Sequence, residues 1–107
     1  MRLGLSLLAL LMPALAGASP GAWETGAALP LACGEVTAAR VGSEIAVVGG
    51  FTADGQNSRR VESYSPARDT WRRLPDLPVS VDHGMSAGYR GTLYVAVNSA
   101  NEALTVR

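Results

Sequence analysis

The stretch that decides the fold is Ile45-Ala46-Val47-Val48-Gly49-Gly50, followed by Val61-Glu62-Ser63-Tyr64-Ser65-Pro66 and then by Asp69-Thr70-Trp71 with Leu74-Pro75. A short apolar run closed by glycines predicts a strand buried on both faces. Gly49-Gly50 permits positive φ and close backbone approach where that strand leaves a crowded centre. Val61 to Tyr64 alternates like a strand, Ser65 to Asp69 turns, and Thr70 to Leu74 returns. Pro66 fits the first corner of the turn, and Asp69 is placed to cap its backbone amides. Tyr64 and Trp71 can then share one side of a hairpin and pack on a neighbouring sheet, each burying roughly 150–250 Å².

The same texture extends outward. Val36 to Val41 is a strand candidate before the turn at Gly42-Ser43-Glu44, and Thr52 to Ser58, with Asp54-Gly55 and Asn57, is a loop. After the break at Pro75-Asp76-Leu77-Pro78 come strands at Met85 to Tyr89 and Leu93 to Val97, with Glu102 to Val106 as a short candidate. Ala22 to Leu29 is a small-residue segment carrying Trp23 and closed by Pro30. Beyond the apolar N-terminus no window follows a 3.6-residue period, so the chain reads as all-β.

Sliding the sequence against itself by 48 residues sets Trp23 on Trp71 and Leu29-Pro30 on Leu77-Pro78. It also sets Ala39 on Ala87 and Ile45-Ala46-Val47 on Leu93-Tyr94-Val95. A period near 50 residues with about four strands has the size of one propeller blade.

An apolar strand ending in a double glycine (Gly49, Gly50), then Tyr64, then Trp71, resembles a Kelch repeat. The match is close over residues 35–75 and looser over the rest. The resemblance implies a β-propeller of four-stranded blades, with strands a to d running from the centre outward. In those terms the Trp23 segment matches a d-strand, residues 35–75 a full blade, and residues 83–97 the a and b strands of the next. The expected fold class is therefore all-β, a partial Kelch-type β-propeller after a signal peptide, with an incomplete propeller over 23–107. Two departures stand out: Ser65 occupies a position where the family usually has Asp, and Val97-Asn98 falls where the double glycine would recur. A closed propeller takes about four to eight blades. The expectation is a fragment of a longer propeller; the alternative is a short chain of which roughly three copies close one ring.

The N-terminus carries a different message. Arg2 precedes the apolar run Leu3 to Met12, Pro13 breaks it, and Ala16-Gly17-Ala18 supplies an A-x-A cleavage site. Residues 1–18 read as a secretory signal peptide, too short in its apolar core to span a bilayer, and residues 19–22 as a short linker. The expected location is secreted or periplasmic, with no membrane span after signal removal. Cys33, the one cysteine, cannot close an internal disulfide, and burial in a strand suits it best.

Composition excludes several functions. Nine basic and nine acidic residues cancel, and every basic residue is Arg, with no stripe to attract nucleic acid or anionic lipid. His83 is the only histidine, so no multi-histidine metal site can be built from one chain. No serine sits in a G-x-S-x-G turn and no phosphate loop follows Gly49-Gly50. Asp82-His83 suggests a general base, but neighbours on a strand point to opposite faces. No catalytic residue, metal or cofactor is assigned. The family resemblance implies that the b–c and d–a loops, Thr52 to Arg60 and Pro75 to Asp82 with His83 at the edge, surround a funnel that commonly holds ligand. Arg59 and Arg60 suit bidentate contacts to a carboxylate, and Asp82 and His83 complete the candidate ligand-binding set. The expected function is an exported binding or interaction module for a protein or glycan. The alternative is part of an exported Kelch-fold enzyme acting on sugars, mutarotase-like or galactose-oxidase-like.

Overall fold

Alternation along the strands determines which side chains meet, and two blades result. The computed structural model describes residues 20–97 and the backbone of 103–106. The signal peptide expected at 1–18 lies outside the described residues. Nine strands follow in order: β1 (Cys33–Gly34), β2 (Thr37–Val41), β3 (Glu44–Val48), β4 (Phe51–Thr52), β5 (Val61–Ser65), β6 (Thr70–Leu74), β7 (Met85–Tyr89), β8 (Thr92–Ala96) and β9 (Ala103–Val106). The first blade is the antiparallel sheet β2-β3-β5-β6, and the second is β7-β8-β9. Short β1 and β4 pair with each other beside the first blade.

The strand plan agrees with the repeat. Thr37–Val41 shifted by 48 is Met85–Tyr89, and Glu44–Val48 shifted by 48 is Thr92–Ala96. The candidate strand at 102–106 is present as β9, paired with β8. One expectation fails: residues 22–29 form no strand, and Trp23 is fully exposed. A strand is held by its ladder, and among the described residues none lies alongside to pair with this segment.

Two-residue turns join the inner strands of each blade. Gly42 (φ 61°) opens the first turn, while Arg90 (φ 48°) and Gly91 (φ 76°) form the second. On the first blade, Ala46, Val48 and Val61 share the face that meets the second blade, each 1% exposed or less. Leu93, Val95 and Val97 of the second blade oppose them, and Leu77 and Val81 of the connecting segment seal the space. Fully burying each Val or Leu contributes about 1.5–3 kcal/mol. Near the axis the blades approach so closely that a side chain at Gly88 would strike the Arg40 carbonyl oxygen. Thr37 Oγ1 and Ser86 Oγ, 2.8 Å apart, share a hydrogen bond between these inner strands.

The other face of the first blade corrects the expectation of two-sided burial for β3. Ile45 is 39% exposed and Val47 half-buried. What covers this face is the chain before β2, with Leu29, Leu31, Cys33 and Val36 lying near Val47 and Glu62. Cys33 is accordingly half-buried, in a strand of two residues. Trp71 and Tyr64 sit directly opposite in the β5–β6 register, their rings 4.9 Å apart at 38°. Trp71 Nε1 donates to the Ala27 carbonyl at 2.8 Å. The turn closes with Arg68 N donating to Ser65 O, Pro66 occupying its first corner. Asp69 does not cap that turn. It has φ 51°, and its Oδ1 accepts from Ala27 N at 2.7 Å and from the Tyr64 hydroxyl at 2.6 Å. The left-handed backbone aims the carboxylate at the N-terminal segment instead.

Candidate functional site

Antiparallel pairing puts the β2–β3 and β5–β6 turns at one end of the first blade and its longer connections at the other. Those connections are residues 49–60 and 75–84, and they are knitted together by backbone. Gly50 N donates to Val81 O at 2.7 Å, Val81 N to Ser58 O at 3.0 Å, and Leu77 N to Arg59 O at 2.8 Å. The double glycine makes this possible. Gly49 and Gly50 have φ of 65° and 89°, and a Cβ on either would collide with a backbone carbonyl, that of Val81 or of Gly34.

The four candidate binding residues divide into two pairs. Arg59 Nε donates to the Leu77 carbonyl at 2.7 Å, clamping the two connections. Arg60 turns to the outer face of the blade, where its guanidinium grips the buried Glu62, with Nε 2.8 Å from Oε1. Its fork thus meets a carboxylate belonging to its own chain. Asp82 and His83 stay at the mouth and touch: Asp82 Oδ2 lies 2.8 Å from His83 Nδ1. The strand argument that kept them apart does not apply, because β7 begins only at Met85 and His83 has φ 49°.

Three further residues complete this cluster. Glu35 Oε2 lies 2.8 Å from His83 Nε2, Asn57 Nδ2 donates to Asp82 Oδ1 at 2.7 Å, and Phe51 meets the imidazole edge-on at 6.1 Å and 78°. The Asp82 hydrogen bond, then the Glu35 charge, raise the His83 pKa above its ordinary 6.5. Beside the cluster, Ala32 to Glu35 and Phe51 to Ala53 line an open groove of about 430 Å³. Sequence reasoning missed Glu35 and Phe51. The available signal was the repeat itself, since Glu35 falls on His83 in the 48-residue shift.

A smaller cavity of about 140 Å³ lies between the blades near their opposite end. Its polar wall is internally satisfied: Ser63 Oγ donates to Glu44 Oε2 at 2.5 Å, and Arg72 NH2 to the same oxygen at 2.7 Å. The Arg72 hydrogen bond, then that of Ser63, hold the Glu44 carboxyl below its usual range. Among the described residues no group of three or more His, Cys, Asp or Glu could hold a metal ion, and no helix is long and apolar enough to cross a membrane.

A four-stranded antiparallel blade, packed face to face on a second and joined to it by a segment that runs back to the axis, defines the β-propeller class. Residues 32–78 match the model of the Kelch motif. A solved structure titled "Structure of YjhT", a Kelch-type propeller protein, superposes with a TM-score of 0.61 at 23% identity. The match covers 70% of this chain and 24% of that one, so the chain spans about a quarter of that propeller's length. No curated protein matches it.

Proposed function

We propose that this protein is an exported Kelch-repeat recognition module, part of a larger propeller, that binds a protein or glycan at the loop-bearing end of its blades. The observation that carries this reading is the mouth cluster. Glu35, Phe51, Asn57, Asp82 and His83 come from three separate segments and converge beside an open groove. Polar hydrogen-bonding groups beside an aromatic ring suit sugar hydroxyls or a peptide backbone. Arg59 and Arg60 turn to the Leu77 carbonyl and to Glu62, whereas His83 touches Glu35 and Phe51 of the groove wall and Asp82 touches His83, so this reading gives recognition to Asp82 and His83 rather than to the arginine pair.

The larger propeller is supported by the second blade's outer face. Met85 is 73% exposed and Tyr94 41%, and with Ala87 and Ala96 they line a shallow apolar hollow. By the 48-residue shift these positions correspond to Thr37, Ala39, Ala46 and Val48, the face on which the first blade packs its neighbour. Further blades, from a longer chain or from other copies, would cover it.

The test is an array of neutral and acidic oligosaccharides together with random peptides, probed with the propeller lacking residues 1–18. Binding lost in Asp82→Asn with His83→Gln but retained in Arg59→Ala supports the mouth as the site. Binding that none of these changes alters refutes it. Fusion of residues 1–22 to a reporter active only outside the cytoplasm tests export, and an inactive reporter would refute that part.

A further inference from the structure

Glu35 and His83 occupy the same position in successive repeats, 48 residues apart, each just ahead of an inner strand. Both are non-glycine residues held at positive φ, 53° and 49°. That conformation is uncommon for a side-chain-bearing residue and costs free energy wherever it occurs. Here it turns two repeat-equivalent side chains toward each other across the boundary between blades, and they meet.

The geometry also fixes the charge state of the pair. Nε2 of His83 faces Glu35 Oε2 and Nδ1 faces Asp82 Oδ2, both at 2.8 Å. A carboxylate only accepts, and a neutral imidazole has a single N–H, so satisfying both contacts requires the imidazolium. We propose that Glu35 and His83 form a proton-operated tie between neighbouring blades at the mouth, closed when His83 is charged and released when it is neutral.

Which end lets go follows from the surroundings. Asp82 is the less exposed carboxylate, at 27% against 51% for Glu35, and its other oxygen is held by Asn57. The groups facing His83 are Glu35 from the segment before β2, Asp82 from its own loop and the uncharged Phe51 from β4. Among the described residues no cation is bonded to it. The remaining proton therefore stays on Nδ1, the bare Nε2 meets a carboxylate lone pair, and Glu35 is expelled. Glu35 directly follows β1, whose only ladder among the described residues is its two-residue pairing with β4. Releasing it loosens the wall of the groove lined by Cys33 and Phe51.

The sign follows from the raised pKa. The tie is fully present below the ordinary imidazole value of 6.5 and is lost as pH rises through the higher folded value. His83 is the only histidine, so its ring resonances in the full chain are unambiguous. The experiment follows them by NMR against pH, together with amide exchange at residues 33–35 and 51–52 corrected for intrinsic base catalysis. We expect His83 to titrate above the ordinary value and exchange at those amides to rise about two- to five-fold across the same titration, the scale of one exposed ion pair. Glu35→Gln should lower the midpoint and remove the step in exchange. His83→Arg keeps a permanent charge and should hold exchange at the slow level throughout, which separates loss of the tie from general unfolding. An ordinary His83 midpoint, a flat exchange profile in the parent chain, or a step that survives both substitutions would overturn the proposal.

Discussion

The two blades share the plan of their first three strands and differ in the connection from the second strand to the third. In the first, β3 ends at Val48 and a twelve-residue connection, 49–60, opens with Gly49-Gly50 and leads to β5. In the second, β8 is followed by Val97 and a six-residue connection, 97–102, to β9. The hairpins β2–β3 and β7–β8 nonetheless pair in the same register, Ala39 with Ala46 and Ala87 with Tyr94. The double glycine is therefore not what makes a blade. It lets a long connection pass between the Val81 carbonyl and the Gly34 carbonyl, where no Cβ fits. Where the connection is short, the same position takes a valine, and Val97 adds its side chain to the core at 7% exposure.

That contrast can be broken at three points of decreasing effect. Leu77 is fully buried between the blades, and Leu77→Ala should destabilise by about 2–5 kcal/mol. Urea unfolding followed by Trp71 fluorescence in a Trp23→Phe background, and by chemical shifts in β7 and β8, should move together. Separate transitions would mean that the blades do not share one core. Next in size is a reciprocal exchange. Gly49→Ala should cost about 1–3 kcal/mol through its positive φ and the Val81 contact, and Val97→Gly a similar amount through lost burial. If the glycine were tolerated at 97 without loss, the two positions would be interchangeable and the account of the double glycine wrong.

The smallest effect concerns the outer corner of the first blade. The Ala27 amide, then the Tyr64 hydroxyl, hold the Asp69 carboxyl below its ordinary 3.8. Its contribution is present above that value and lost as pH falls through the lower folded one. Asp69→Asn should flatten the acid limb of the stability curve slightly and speed amide exchange at Ala27. An unchanged Ala27 rate would show that the Trp71 bond alone fastens the segment.

Much of the fold was legible because it rests on alternation and repetition, both local properties. The apolar run Ile45 to Val48 announces a strand, though not that only its Ala46 and Val48 face is buried, and the 48-residue shift sets β2 on β7 and β3 on β8. The Trp23 segment reads as a strand because the 48-residue shift sets Trp23 on Trp71 of β6, while strand formation depends on a partner elsewhere. The site was less legible for a related reason. Arg59 and Arg60 have the chemistry of ligand binding, but nothing local reveals that the Leu77 carbonyl and Glu62 already occupy them. Asp82 and His83 were identified as site candidates, yet their contact depends on a left-handed turn at His83 that the sequence Asp-His-Gly does not announce. Glu35 carries no motif of its own, and its one mark in the sequence is that it falls on His83 in the 48-residue shift.

Gly88 has a consequence for the shape of any ring these blades join. With no side chain there, β7 rests on the backbone of Arg40, while farther from the axis Leu77 and Leu93 keep the sheets apart. These two blades thus form a wedge, thin at their inner strands and thick farther out, and in a ring of such blades the wedge angle would set how many complete the circle.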